Sequence, residues 1–157
     1  MNAHRAGLRF SWRGGSGTTP RQQCLLVCRA VGRSTAILLV ACGGAAGAVA
    51  RFLVGDSFSR RFGTGWPYGT LFINVSGCFA IALFLSAAAS RAEMSAGWRY
   101  LFPVGFVGAY TTFSTYGYET LRLIQLGQAG GAIAYLAASN VLGLCAVVAG
   151  DWLGRRM

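Results

Sequence analysis

The sequence predicts an all-α membrane protein of four spanning helices, with the third broken in mid-membrane. Three observations predict it. The 157-residue chain is 54% hydrophobic and only 11% charged, too apolar for a soluble domain of that length. Its apolar residues fall into four runs, each near the roughly 20 residues a bilayer crossing requires, without the period-two alternation of a strand. One of those runs holds, from Gly105 to Tyr116, a crowd of glycine, threonine, serine and aromatic residues. Lipid penalises unsatisfied backbone and polar groups, so such a cluster at membrane depth points to a broken helix lining a small-ion site.

Residues 1–33 precede the first run. They are rich in Arg, Gly, Ser and Thr without a steady period, and read as a disordered basic tail. No small-residue cleavage site separates them from the apolar chain, which argues against a secretory signal. A start at Val27 or Val31 is a third reading. Residues 34–157 form the transmembrane domain.

The first run covers residues 34–55. Gly43 and Gly47 form a GxxxG pair, which lets helices approach closely, within one subunit or between two. Arg51 near its end is placed to snorkel to the interface. The second run covers 68–89, where Thr70 and Asn74 lie four apart on one helix face. An Asn amide in hydrocarbon needs a partner. On this run alone a bond to a neighbouring helix is the favoured reading, with an amide facing an anion path as the other.

The third run covers 98–124. Phe113 and Tyr116, three apart, stack along one face if helix resumes there. Ring edges are positive and offer an anion weak stabilisation. A break would release carbonyls at Gly108 and Thr111, oxygens that suit a hard cation such as sodium. The competing reading is a kinked helix whose hydroxyls bond back to carbonyls four residues earlier. Glu119 lies one to two turns beyond, and physics alone leaves its role open. The fourth run covers 130–153 and contains Tyr135, Ser139 and Asn140. Tyr135, Ser139 and Gly143 share a face at four-residue spacing. Short connections at 56–67, 90–97 and 125–127 imply antiparallel neighbours, and Trp66, Tyr68, Trp98, Tyr100 and Trp152 fall at run ends, where amphipathic rings prefer the headgroup region.

The net charge is +10 and every basic residue is arginine. Without the tail, Arg91, Arg99, Arg155 and Arg156 share one side of the membrane, and Arg51, Arg60, Arg61 and Arg122 the other. That balance gives the positive-inside rule nothing to act on, so the chain can insert both ways and opposed copies can pair. The tail arginines, where present, break the balance. Basic residues on a tail rather than a folded face exclude nucleic acid as a partner. Cys24 and Cys28 have metal-like spacing, but the single histidine, His4, lies far up the tail, so zinc is discounted. Cysteines within the apolar runs act as small hydrophobes. No nucleophile–base pair suggests an enzyme.

Taken together, these segments resemble the Fluc/CrcB family of fluoride channels. The matching elements stand in the family's order. They are Gly43-Gly44 through Gly47-Ala48 and Arg51; Gly69-Thr70-Leu71 through Asn74 and Gly77; Gly105-Phe106 through Gly108; Thr111-Thr112-Phe113-Ser114-Thr115 and Glu119; and Tyr135 with Ser139. Coverage runs from about residue 36 to 154. The resemblance implies an antiparallel, dual-topology homodimer in the bacterial cytoplasmic (inner) membrane, with two fluoride pores each built from both subunits. By that pattern Asn74 lines the pore and Phe113 offers its ring edge, with Thr70, Thr112, Ser114 and Tyr116 nearby. Tyr135 and Ser139 resemble a polar track, Arg51 and Glu119 match further functional positions, and the carbonyls of Gly108 and Thr111 match those that hold a structural sodium ion at the dimer centre. The family usually has a second Phe where this chain has Tyr116. Its ring edge is kept and a hydroxyl added, and fluoride transport is expected to survive. A small proton-coupled multidrug-type exporter of dual topology is the alternative. It needs a carboxylate deep in the first span, and residues 34–55 contain none.

Overall fold

The computed structural model describes residues 31–89 and 95–157. The basic tail up to residue 30, with Cys24 and Cys28, and the connection residues Arg91 and Glu93 lie outside the described residues.

Helix α1, Arg33–Phe62, has 30 residues, about 45 Å at the usual rise per residue. It runs past residue 55 through what the sequence assigned to a connection. Local bonds explain the extension. Asp56 and Arg60 form an i,i+4 ion pair at 2.8 Å, Phe58 and Phe62 bring their rings to 5.6 Å, and Ser57 Oγ donates to the Leu53 carbonyl. Arg60 and Arg61 sit in the last turn, where the helix dipole favours cations. Gly63, at φ 74°, ends the helix with its N–H on the Ser59 carbonyl. The extension brings Asp56 into α1, but near its end and paired.

Helix α2, Tyr68–Ala89, matches the second run and starts directly after Pro67. The third run is a series of pieces. Helix α3, Ala96–Arg99, leads into a π-helical stretch, Tyr100–Val107, that contains Pro103. Proline has no N–H to give and crowds the carbonyl four residues back, and the wider turn relieves both. Helix α4, Gly108–Tyr110, is one short turn. Thr111 (φ −79°, ψ 158°) and Thr112 (φ −149°, ψ 121°) are extended, and α5, Phe113–Gln125, begins after them. A turn with Gly127 at φ 74° leads to α6, Ala129–Gly154.

The described residues are helical with no strand. Helices α1, α2 and α6 are each long and apolar enough to cross a membrane. Between Ala96 and Gln125 no single piece reaches that length.

The main packing is α2 against α6 and α1 against the π-helical stretch. Glycines make both seams possible. A Cβ on Gly43 would lie 2.1 Å from the Leu101 carbonyl oxygen, and one on Gly47 2.1 Å from that of Phe106. The GxxxG pair is therefore occupied inside the chain. Gly150 and Gly154 serve α6 in the same way, against the carbonyls of Phe79 and Leu83. Few side chains are buried, among them Ile73, Val107, Leu123 and Tyr135, while Phe52, Leu144 and Val148 face outward. An apolar exterior of this kind suits lipid or another protein surface.

Candidate functional site

The site is built around the two extended threonines. Asn74, on α2, holds both polar backbone groups of Thr112: its Nδ2 donates to the Thr112 carbonyl at 3.0 Å, and its Oδ1 accepts from the Thr112 N–H at 2.9 Å. Thr112 is also the N-cap of α5, with Oγ1 accepting from the Thr115 N–H at 3.2 Å. The Thr111 methyl lies against Gly77, where a Cβ would come within 2.2 Å of it, and its hydroxyl donates to the Val107 carbonyl at 2.9 Å. Nearby, Ser76 and Tyr110 share a hydroxyl–hydroxyl bond of 3.0 Å.

These bonds redirect the backbone. In an unbroken helix the Thr112 N–H would serve the Gly108 carbonyl, and the Thr115 N–H that of Thr111. Here the first is given to Asn74 and the second to the Thr112 hydroxyl. Gly108 and Thr111 thus lose their helical donors, and oxygens in that state accept a hard cation readily. Of the two readings of Asn74, the structure realises the bond to a neighbouring segment. One of its N–H groups remains, because a primary amide carries two.

Beside this clamp lies a groove of about 310 Å³ lined by Asn74, Thr112, Phe113, Tyr116, Ser139 and Asn140, together with Gly77, Cys78 and Thr111. Phe113 is 84% exposed. Its ring lies 5.7 Å from that of Tyr116 at 47°, so the pair is tilted rather than stacked as the spacing suggested. The Ser139 hydroxyl is buried without a hydrogen-bond partner among the described residues. A helical serine commonly bonds the carbonyl four residues back, and this one does not.

A second cluster surrounds Glu119 on α5. Thr70 Oγ1 donates to one carboxylate oxygen at 2.9 Å, and the Tyr135 hydroxyl to the other at 2.8 Å. Tyr135 is wholly buried, with the Trp66 ring edge-on at 5.4 Å and the Tyr116 ring at 5.2 Å. Thr70 and Glu119 also line a cavity of about 260 Å³ with Trp66 and Arg122, beneath the turn after α1. Sequence left Glu119 open; the structure makes it the acceptor that gathers both hydroxyls.

The predicted site residues therefore separate. Asn74, Thr112, Phe113, Tyr116 and Ser139 share the groove, and Gly108 and Thr111 flank the break. Thr70, Glu119 and Tyr135 form the second cluster, which meets the first where the rings of Tyr116 and Tyr135 touch. Ser114 is exposed and bonds the Thr112 hydroxyl at 3.2 Å. Arg51 is half-buried on α1, lines neither cavity, and has no ion-pair partner among the described residues. Asn140 is the groove residue that the four-residue spacing from Tyr135 to Gly143 passed over. Its Nδ2 donates to the Tyr116 hydroxyl at 3.1 Å, across a loop that no local pattern reports.

Comparison with known proteins adds an independent line. A family model described as "CrcB-like protein, Camphor Resistance (CrcB)" matches residues 38–151. A protein of Acidobacterium capsulatum called "Fluoride-specific ion channel FluC" is 51% identical over 120 residues, covering 76% of this chain and 96% of the relative. Relatives of the same description from Chloroflexus aurantiacus and Nitrobacter winogradskyi are 44% and 46% identical, over 76% and 74% of this chain and 94% and 92% of their own lengths.

Proposed function

The chain belongs to the CrcB-like family, and on that premise we propose that it is a fluoride-selective channel. It conducts by passive electrodiffusion and lowers fluoride in the cytoplasm, from a multi-pass position in the cytoplasmic membrane of a bacterium. The observation that carries this reading is the groove at the broken segment. Fluoride is small and strongly hydrated, so a pore must replace its water with donors. The spare N–H of Asn74 and the hydroxyls of Tyr116 and Ser139 are such donors, and the exposed Phe113 ring offers its edge.

In this reading the third run crosses the membrane as its series of pieces, with the extended threonines at mid-depth. A second, inverted copy closes the groove. The outward Phe113 and the arginines of residues 34–157, balanced four against four, support that assembly. Gly108 and Thr111 would hold a structural sodium ion through carbonyls that the Asn74 clamp and the Thr112 cap leave without helical donors. Such an ion supplies fixed positive charge close to an anion path. Nothing favours the proton-coupled exporter, since the one carboxylate of α1 is Asp56, paired with Arg60 near the helix end.

The test is fluoride-electrode efflux from liposomes containing the full chain, with chloride as control. The expected result is fluoride flux that follows an imposed membrane voltage, with chloride held back. A flux indifferent to voltage would indicate coupled exchange, and no fluoride flux would end the proposal.

A further inference from the structure

Asn140 and Tyr116 form a pair that none of the spacing arguments contains. The Asn140 Nδ2 donates to the Leu136 carbonyl at 2.7 Å and to the Tyr116 hydroxyl at 3.1 Å. The first bond fixes the orientation of the amide, because a carbonyl can only accept. The group facing Tyr116 is therefore NH₂, which has no lone pair to offer. The tyrosine oxygen must accept, and its own proton is left to point elsewhere. Among the described residues that O–H has no acceptor. Tyr116 lines the groove that Ser139, with its unpartnered hydroxyl, and Asn74, with its second N–H, also line.

The geometry points to Asn140 as a positioning residue that turns the Tyr116 hydroxyl into a hydrogen-bond donor for the anion in the groove. The contact at residue 116 is then an O–H donor and not only a ring edge, and residue 140 fixes its polarity. This rests on the fluoride-channel reading above and adds residue 140 to it. A neutral O–H to an anion is a charge-assisted bond, shorter and stronger than contact with a ring edge. Were Asn140 absent, the hydroxyl would be free to turn and present its lone pairs, which repel an anion.

The experiment compares wild type, Asn140→Leu, Tyr116→Phe and the double variant, each as full chain in liposomes, with fluoride efflux and fluoride-over-chloride ratio as readouts. Elution of each purified variant on size exclusion checks its assembly. The expected result is at least about a tenfold loss of fluoride flux for either single substitution, the scale of one lost bond to a charged group. The double variant should be no worse than Tyr116→Phe, because Asn140 acts only through that oxygen. Should Asn140→Leu fail to assemble, Tyr116→Phe, which lacks a single oxygen, decides the matter alone. A conducting wild type with Tyr116→Phe equal or faster, with Asn140→Leu unchanged, or with additive losses, overturns the inference and leaves the channel reading standing. A wild type that passes no fluoride overturns both.

Discussion

Asn74 satisfies the two backbone groups that the break at Thr112 would otherwise leave unpaired, and it does so with one side chain. Its structural role and the anion contact proposed for it are therefore coupled. Asn74→Ala orphans both groups, at about 1–3 kcal/mol each where water is excluded. The expected outcome is a lower unfolding temperature in detergent together with loss of fluoride flux. Phe113→Ile separates the two effects. Phe113 makes no hydrogen bond through its side chain and faces outward, where the proposed second copy would cover it, so that variant should lose less thermal stability than Asn74→Ala and still lose most of its flux in the liposome assay. Equal stability for both variants would show that the Asn74 clamp contributes little. At this scale the sequence made the residue types legible. An amide in hydrocarbon announces that it needs a partner, but not that the partner is Thr112, 38 positions away.

Among the elements, the interrupted third run shows how local chemistry shapes an apolar segment. Pro103 widens the turn before the break, and the Thr112 cap restarts helix after it. Of this, the sequence reading used neither Pro103 nor the cap, but the cluster at 105–116 that holds Thr112 was readable, as were the limits of α2 and α6 to within a residue. The end of α1 was not. Its polar residues look like a connection, yet the Asp56–Arg60 pair and the Phe58–Phe62 contact carry the helix on to Phe62. The neighbouring glycines at 43 and 44 give a sharp contrast. A Cβ at Gly43 would meet backbone at 2.1 Å, whereas at Gly44 the nearest atom is 3.9 Å away. Gly43→Val should abolish folded protein on size exclusion, because backbone cannot move aside as a side chain can. Gly44→Ala should elute and conduct as wild type.

For the whole molecule the question is what covers the outward apolar surface and the open side of the groove. The inverted-pair reading makes two measurable statements. A cysteine introduced at Thr64, in the turn after α1, on a background without native cysteines, should react with an impermeant thiol reagent from both sides of the membrane. Labelling from one side only would remove the dual topology. A sodium ion held between copies binds the folded dimer and not the unfolded chain, so the unfolding temperature in detergent should rise with sodium concentration and not with a bulky organic cation. Thermal curves that ignore sodium would leave the carbonyls of Gly108 and Thr111 without that ligand.

Composition and hydrophobic run length were enough to establish helices, their approximate limits and a membrane setting, because the cost of placing polar groups in hydrocarbon acts residue by residue along the chain. Glycine and threonine likewise marked the place where the third run gives way. Which groups meet was decided by packing alone. The clamp of Asn74 on Thr112, the gathering of Thr70 and Tyr135 on Glu119, and the bond from Asn140 to Tyr116 each join different helices. Such contacts depend on how helices rotate and slide against one another. The close glycine seams against Leu101, Phe106, Phe79 and Leu83 fix that rotation, and no periodicity within a single helix encodes it.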